Sequence, residues 1–524
     1  MREGSSMSDY DAIVIGAGHN GLTAAVLLQR AGLRTVCLDA KRYPGGMAAT
    51  VELFDGYRFE IAGSVQFPTS AVVISELGLD TLPTVEMEVM SVALRGLGDD
   101  PLVQYTDPMK MFAHVNEVHG ADAVTGMAGL LAWAQAPTRA LGRFEAGTLP
   151  KTFDEMYACA TNEFERSAID DMLFGSVTDV LDRYLPDRQK HAALRGSMTV
   201  LAVNTIYRGP ATPGSAAALA FGLGIPDGDF VQMKKLRGGI GALTAHLRRL
   251  LESHGGEVRL RSKVAEIRVE GNRVSGVRTE AGEILSAPIV VSAVAPDVTV
   301  NELIDPAALP AGIRERYARI DHRGSYLQMH FALDETPSFA APYQALNDPA
   351  MQASIGIFCT PEEVQQQWEE CRRGIVPADP TVVLQIPSLH DPQLAPQGKH
   401  AASAFAMWFP IEGGADYGRS KLDMGQHVID KITRLAPNFA GSITRHTTFT
   451  PKHMGVMFGA PGGDYCHGLL HPNQIGPNRP GPKGYIGQPI PIGGLYLGSA
   501  GCHGGPGITF IPGFNAGRAA LAEL

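Results

Sequence analysis

Three glycines near the N-terminus stand at the spacing of a phosphate-binding turn. Gly16, Gly18 and Gly21 form a G-x-G-x-x-G motif between an apolar run, DAIVI, and a helix-like segment, LTAAVLLQRA. Glycines let the backbone approach a pyrophosphate closely, and the N-terminus of the following helix stabilises its negative charge. The motif therefore predicts a dinucleotide-binding turn, to which His19 and Asn20 also belong.

An acidic residue follows at the distance that a nucleotide ribose requires. The next apolar run, residues 34–38, ends at Asp39, whose carboxylate can accept hydrogen bonds from ribose hydroxyls. Strand, glycine turn, helix, strand and acid together are far more specific for a dinucleotide than the glycines alone. A second glycine pair, Gly45 and Gly46, can bring backbone amides to a second phosphate. Because no second G-x-G-x-x-G occurs, the sequence favours one tightly held flavin dinucleotide, FAD, over a dissociating nicotinamide.

The C-terminal segment is rich in glycine and predicts a strand, a loop and a helix. LYLGSAGCHGGPG leads to GFNAGRAALAEL, whose helix we expect to begin near Asn515, with its positive N-terminus directed at the flavin. His503 is the best-placed proton acceptor in this loop if a C–H bond is oxidised. The alternative is a loop histidine hydrogen-bonded to the backbone, and this alternative is favoured. Cys502 could tether the flavin or act as a thiol, although a small buried hydrophobe is the commoner role.

A metal site is not expected. Cys466, His467 and His471 offer three donors, but no matching second pair lies nearby, so packing is favoured over metal binding. The six cysteines contain no C-x-x-C pair, which argues against a disulfide framework and a redox-active dithiol.

Bulk composition limits the remaining possibilities. The chain has 524 residues, of which 44% are hydrophobic and 19% charged, with a net charge of −10. No long basic run occurs, so no nucleic-acid partner is expected. The segment MREGSSMSDYD has no apolar core, and no apolar run is long enough to span a membrane. We therefore expect a cytoplasmic protein, and short apolar stretches such as GMAGLLAWA leave peripheral membrane contact open. The sequence does not indicate an oligomeric state.

Regular elements are also predicted in the middle of the chain. Leucines at helical spacing in ALTAHLRRLLESHGG predict a helix. The following segment predicts strands that turn at residues 271–272 and 281–282, and APIVVSAVAP predicts a buried strand that returns to the sheet. The alternating run SYLQMHFAL, residues 325–333, predicts a strand of a second domain.

These motifs together resemble the FAD-dependent amine oxidase and carotenoid desaturase superfamily, in its phytoene desaturase-like branch. Within that branch, the chain is most similar to the group named pyridine nucleotide-disulfide oxidoreductase domain-containing protein 2. The name implies disulfide chemistry, for which this sequence has no C-x-x-C. The resemblance covers nearly the whole chain and rests on IGAGHNGL, YPGGMAAT, GYRFEIAGS, RGPATPG, LRGGIGAL, FGAPGGDYCHG and GFNAGRAA.

The resemblance implies an α/β fold. A Rossmann-type FAD-binding domain of the glutathione-reductase-like, amine-oxidase type would be interleaved with an α+β substrate domain. The FAD-binding domain would comprise residues 7–72, 230–300 and 450–524, and the substrate domain residues 73–229 and 301–449.

The resemblance also implies specific FAD contacts. Met47 departs from the arginine of the G-G-R form found in many relatives, so backbone amides would replace that charge. The implied contacts are Gly16, Gly18 and Gly21 at the pyrophosphate; Asp39, Ala40 and Lys41 at the adenosine ribose; Gly45, Gly46 and Met47 in the second glycine segment; Val264 at the adenine; and Gly501, Pro512, Gly513, Phe514 and Asn515 beside the isoalloxazine.

The implied reaction is hydride transfer from a C–C bond of a small, largely apolar substrate to the flavin. Three alternatives remain open: amine-oxidase-like C–N oxidation, redox-neutral isomerisation, and a flavin-bearing interaction protein without turnover.

Overall fold

A five-stranded parallel sheet forms the base of the molecule. The computed structural model describes residues 8–64, 68–94, 100–226, 235–324, 326–410 and 417–524. Four of the five strands are buried along their whole length, as expected for a parallel sheet covered on both faces. The strand order is β19 (Leu495–Leu497), β11 (Ile289–Ser292), β1 (Ala12–Ile15), β2 (Thr35–Leu38) and β7 (Glu257–Arg259).

The two faces of this sheet pack against different elements. One face packs against three helices, α1 (His19–Arg30), α10 (Gly241–Ser253) and α17 (Ile511–Leu521). The other face packs against an antiparallel meander of β8 (Val264–Glu270), β9 (Arg273–Thr279) and β10 (Ile284–Ser286). The predicted helix and the predicted turns at 271–272 and 281–282 are present here.

A seven-stranded mixed sheet forms the second layer. Its core packs against α14 (Tyr417–Leu435). The strand predicted at 325–333 lies inside the sheet as β12 from residue 326, between two neighbours, and residue 325 lies outside the described residues. One pair, β13 with β5, is parallel, and the other pairs are antiparallel. The order is β16 (Ile443–Phe449), β12 (Tyr326–Leu333), β15 (His400–Met407), β14 (Val382–Gln385), β13 (Ser354–Ile357), β5 (Val89–Leu94) and β6 (Leu102–Tyr105).

A helical layer with its own apolar core completes the second part of the chain. It consists of α3 (Pro108–His119), α4 (Ala121–Leu141), α5 (Phe153–Ala158), α6 (Glu163–Phe174), α7 (Val177–Tyr184), α8 (Ala192–Val203) and α9 (Ala216–Leu223). The remaining elements are α2 (Ala71–Leu77), α11 (Pro296–Asn301), α12 (Ala311–Ala318), α13 (Pro361–Arg372), α15 (Phe439–Ser442), α16 (Pro451–Phe458) and the hairpins β3 (Thr50–Phe54) with β4 (Tyr57–Glu60) and β17 (Gly484–Tyr485) with β18 (Gln488–Pro489).

The chain passes between the two parts several times. All five strands of the parallel sheet fall within residues 7–72, 230–300 and 450–524, and all seven of the mixed sheet fall within 73–229 and 301–449. The assignment of these segments to cofactor and substrate stays a prediction. Among the residues described, no helix combines the length and apolar character needed to cross a membrane.

Candidate functional site

The N-terminal glycine turn joins β1 to α1. Gly16 follows the strand with φ +96°, and Gly18 is the N-cap of the helix, without a side-chain cap. Gly21 lies in the first helical turn, where a Cβ would overlap the carbonyl oxygen of Gly16. This turn must therefore be glycine, and the uncapped N–H groups of the helix start can bind an anion.

The second glycine pair lies directly against the first motif. Gly45 has φ +109°, and its N–H donates to the Ala17 carbonyl at 2.8 Å. A Cβ on Gly46 would stand 3.6 Å from the Gly18 Cα. Met47, which follows in the same turn, is half-buried, and its carbonyl accepts from the Gly63 N–H at 2.9 Å. The structure thus brings the two predicted glycine motifs side by side.

Asp39, the residue that follows β2, contacts the first glycine turn. Its two carboxylate oxygens accept from the N–H groups of Ala17 and Lys41, each at 2.7 Å. Burial raises the pKa of Asp39, and the two N–H donors oppose that rise. Because a carboxylate has about four acceptor sites, Asp39 can still accept from a ribose.

The remaining residues predicted to contact the adenosine are also near Asp39. Ala40 is exposed and Lys41 half-buried. The Ser262 N–H donates to the Asp39 carbonyl at 2.7 Å, and the chain then enters β8 at the buried Val264. Val264 therefore lies in the strand that leaves the Asp39 turn.

The last helix meets the first helix at their N-termini. A Cβ on Gly513 would overlap the carbonyl oxygen of Asn20, and the Gly513 N–H donates to the Asn20 side-chain oxygen at 3.3 Å. The helix begins at Ile511, so the predicted start near Asn515 is wrong by four residues. Gly513 does not precede the helix; it lies within the first turn, where the lack of a Cβ permits the contact with α1. Pro512 and Phe514 are buried beside it.

Two neutral imidazoles, His19 and His467, each have a ring nitrogen without a partner among the residues described, and His19 is the first residue of α1. The His19 ring contacts Phe510 edge-on at 5.5 Å, and its Nε2 has no hydrogen-bond partner among the residues described. Burial lowers the pKa of His19 to about 4. His467 is similar: burial lowers its pKa to about 4, and its Nδ1 has no partner in the described part of the chain. A Cβ on Gly501 would overlap the His467 carbonyl oxygen.

These features fit a bound dinucleotide. Buried polar atoms are nearly always hydrogen-bonded, so the unpaired nitrogen of His19 requires a partner that the described residues do not supply. The same end of the parallel sheet carries two positive helix ends, a glycine cradle and an acid with free acceptor sites.

His503 lies in the C-terminal loop, buried between the two parts of the chain. Its Nε2 is 3.3 Å from the Thr148 hydroxyl, a side-chain partner rather than the backbone partner that the favoured alternative assumed. Asn515 holds the loop, because its amide donates to the His503 carbonyl at 3.4 Å and accepts from the Gly147 N–H at 2.7 Å. Burial, followed by the charges of Lys151 and Arg479, lowers the pKa of His503 to about 3. The ring is neutral at physiological pH.

The cysteine and histidine side chains considered for flavin attachment or metal binding, Cys502, Cys466 and His471, are buried. Burial raises the pKa of the Cys502 thiol to about 11, and the side chain packs in the core under the meander. Nε2 of His471 lies 3.4 Å from an Asp321 oxygen, and burial holds the pKa of the Cys466 thiol far above its ordinary value. Within the described ranges, no three His, Cys, Asp or Glu side chains are grouped to hold a metal ion.

A buried acid–histidine–acid cluster was missed by sequence reasoning. His322 Nε2 lies 2.9 Å from Asp297, and its Nδ1 lies 3.3 Å from Asp464. Burial lowers the pKa of His322, but its contacts with the Asp297 and Asp464 carboxylates outweigh that effect and raise the pKa to about 9. Asp464 also accepts from the N–H groups of Cys466 and Gly468, so the cluster fixes the loop that carries His467. The three members come from separate segments, and no local motif marks them.

A buried arginine fixes the C-terminal loop. The guanidinium of Arg479 makes no ion pair with a described carboxylate and donates only to backbone carbonyls. Its acceptors are Gly468, Gln474, Ala500 and Cys502.

The parallel sheet with its anion-binding turn, interleaved with a second sheet domain, defines a two-domain FAD-dependent oxidoreductase. Residues 21–360 match the sequence model of the flavin containing amine oxidoreductases, and the chain belongs to that family. The predicted fold class, cofactor and oxidoreductase activity are thereby confirmed.

Individual relatives agree with this membership. The chain is 28% identical to pyridine nucleotide-disulfide oxidoreductase domain-containing protein 2 of Rattus norvegicus, over 98% of this chain and 94% of that protein. It is 27% identical to the lycopene-forming phytoene desaturase of Pseudescherichia vulneris, over 98% of both. A solved structure of a putrescine oxidase variant superposes with a TM-score of 0.64 at 17% identity, covering 98% of both chains. The predicted resemblance to the phytoene desaturase-like branch is confirmed.

Proposed function

We propose that the protein oxidises a C–C bond of a small, largely apolar substrate and leaves a double bond. Bound FAD supplies the acceptor for the two electrons. The substrate loses a hydride from one carbon and a proton from its neighbour, so the chain must supply a proton acceptor. The identity to a phytoene desaturase along almost the whole chain supports this reaction.

The charge around His503 is the observation that carries the proposal. Both charged groups that act on the ring, Lys151 and Arg479, are cations. Lys151 is paired with Glu145 at 2.6 Å, whereas Arg479 binds only carbonyls. A protonated amine would be repelled here, and a neutral hydrocarbon chain would not. The loop therefore favours C–C oxidation over the C–N oxidation that the family description suggests.

His503 is the proposed proton acceptor. The ring is neutral at physiological pH and carries one unprotonated nitrogen. Because burial and two nearby cations hold the pKa at about 3, proton uptake there requires a compensating negative charge, which the bound cofactor would supply. The Thr148 hydroxyl and the Asn515 amide fix the ring and its loop. His503 is thus held in a fixed orientation, which a general base requires.

The FAD contacts are proposed as follows. The first glycine turn would hold the pyrophosphate, Asp39 the ribose, and the N-terminus of α17 the flavin end of the molecule. The residues proposed to line the cofactor are Gly16, Gly18, His19, Asn20, Gly21, Asp39, Ala40, Lys41, Gly45, Gly46, Met47, Val264, Gly501, Pro512, Gly513, Phe514 and Asn515.

Anaerobic titration of the FAD-loaded protein tests the reaction. A neutral polyene such as phytoene and an amine such as putrescine are added separately, and the visible absorbance of the flavin is followed. The proposal predicts bleaching by the polyene and none by the amine. Bleaching by the amine alone, isomerised polyene without bleaching, or no response to either would contradict it.

A further inference from the structure

Arg143 is a buried cation without a counter-ion in the described chain. The residue is 3% exposed, and its Nε and Nη1 have no hydrogen-bond partner among the residues described. Burial alone lowers the pKa of Arg143 to about 9, so no described charge offsets it and the side chain stays protonated at neutral pH. Because an unpaired buried charge is costly, its presence points to a ligand that completes it.

Two other buried arginines show how this chain satisfies such a group. Arg195 donates to an Asp182 oxygen and to the Leu185 carbonyl, each at 2.7 Å. Arg479 donates to four carbonyls. Arg143 has neither kind of partner in the ranges that the structure describes, so its burial is not explained by a structural role like theirs.

The position of Arg143 connects it to the proposed reaction site. It follows Gly142, the C-cap of α4, where a Cβ would stand 3.1 Å from the His503 Cε1. The same loop continues to Thr148, the partner of His503. The Arg143 side chain therefore leaves the backbone one residue from the contact with the proposed proton acceptor.

Aromatic rings hold the guanidinium in place. Its central carbon lies 4.1 Å from the ring centroid of Phe221 and 4.8 Å from that of Phe144. These faces stabilise the cation and exclude water without using its N–H donors. The guanidinium N–H groups are therefore available to donate hydrogen bonds to a ligand.

We propose that Arg143 binds the carboxylate of an amphipathic substrate whose apolar chain carries the oxidised bond. This inference rests on the proposed function and names the substrate class. A carboxylate matches the planar donor fork of a guanidinium. The buried Thr138 hydroxyl, also unpaired among described residues, is a second donor on the same turn, since the Arg143 N–H donates to the Thr138 carbonyl at 3.2 Å.

A doubly charged phosphate is disfavoured at the same place. The site offers one formal positive charge. In addition, α4 ends at Leu141 and α9 at Leu223, beside Phe221, so two helix C-termini with partial negative charge lie nearby. A monoanion balances one guanidinium and leaves no excess charge.

Equilibrium binding to the FAD-loaded protein tests the assignment. Decanoate and 1-decanol, which share a chain length, are titrated by calorimetry into wild type, R143M and R139M. Wild type should prefer decanoate by roughly 10-fold or more, and R143M should lose that preference. R139M should keep it, because Arg139, in the last turn of α4, is part-exposed and paired with Glu165 at 2.8 Å.

Thermal unfolding without ligand separates binding from folding. R143M should unfold at or above the wild-type temperature, because replacing an unpaired buried charge with an apolar side chain removes a cost. A drop of several degrees, equal affinity of wild type for acid and alcohol, no binding of decanoate, or an unchanged preference in R143M would each overturn the proposal.

The two proposals fail separately. If decanoate is preferred in an Arg143-dependent way but no polyene bleaches the flavin, the carboxylate site is supported and the proposed C–C oxidation is contradicted. If a polyene bleaches the flavin but decanoate is not preferred, the C–C oxidation is supported and the carboxylate site is contradicted.

Discussion

Gly513, in the first turn of the last helix, lies against Asn20, in the first turn of the first helix. Its N–H donates to the Asn20 side chain at 3.3 Å across 493 residues of sequence, and its missing Cβ leaves room for the Asn20 carbonyl. Each helix N-terminus carries about half a positive charge. Their meeting beside two glycine turns concentrates positive potential there, which suits the pyrophosphate at the N-terminus of α1 and the flavin end of the dinucleotide at that of α17.

Replacing Gly513 should therefore weaken FAD binding. In G513A the new methyl group would collide with the Asn20 backbone, and overpacking of this kind costs about 1–3 kcal/mol. We expect the dissociation constant for FAD, measured by fluorescence quenching, to rise roughly 10-fold or more, with a lower unfolding temperature. The matched control is G441A, because a Cβ on Gly441 meets open space. Wild-type affinity in G513A would show that the helix junction does not support the cofactor.

Removal of the Asp39 carboxylate should also weaken FAD binding. In D39A the N–H groups of Ala17 and Lys41 lose their acceptor, and each unsatisfied buried donor costs about 1–3 kcal/mol. FAD affinity should fall roughly 10-fold or more. D55A, at an exposed turn residue, should bind FAD as wild type does. An equal effect of both substitutions would argue against a specific role for Asp39.

The His322 cluster should make stability fall in alkaline solution. The folded-state pKa of His322 is raised to about 9 from an ordinary 6.5, so the folded chain holds the proton more tightly than the unfolded chain. This stabilisation, up to about 3 kcal/mol, is complete below about pH 6.5 and is lost as pH rises through about 9.

The unfolding temperature of wild type and H322Q between pH 6 and 10 would measure this effect (roughly the range spanned by the two pKa values). The difference between the two proteins should be largest at the acidic end and shrink as the pH rises. A constant difference across the range would mean that His322 is not charged in the folded protein.

His503 can be tested separately from the fold. H503Q keeps a polar group opposite Thr148 but cannot take up a proton at neutral pH. Loss of a general base typically costs about 10²- to 10⁴-fold in rate. The rate of flavin bleaching by substrate should fall by that factor, with FAD affinity and the flavin spectrum unchanged. A bleaching rate within a few-fold of wild type would assign His503 to loop structure.

Local patterns predicted the nucleotide half of the fold well. β1, α1 and β2 follow from continuous apolar runs and a glycine turn, which depend on neighbours in sequence. The start of α17 was misplaced because Gly513 suggests a helix boundary, whereas its actual setting is a contact with α1. That contact depends on packing between the two ends of the chain.

Other parts of the site depend on tertiary contacts alone. The ion pairs of His322 and the Thr148 partner of His503 join distant segments, the latter across 355 residues. Arg143 has no motif, and its isolation is visible only once its surroundings are known. A sequence pattern reveals a residue only when the site requires a particular residue type at a particular spacing. The partners of His322, His503 and Arg143 follow no such spacing.

Product mass after a single anaerobic turnover tests the proposed reaction most directly. FAD-loaded protein is mixed with an equimolar amount of a neutral polyene. The mass and the amount of the extracted product are measured by mass spectrometry, and the amount is compared with that of the flavin bleached. We predict one product molecule per bleached flavin, lighter than the substrate by two hydrogen atoms and carrying one additional double bond. A product of unchanged mass, or bleaching that occurs only with an amine and yields a carbonyl compound, would contradict C–C oxidation.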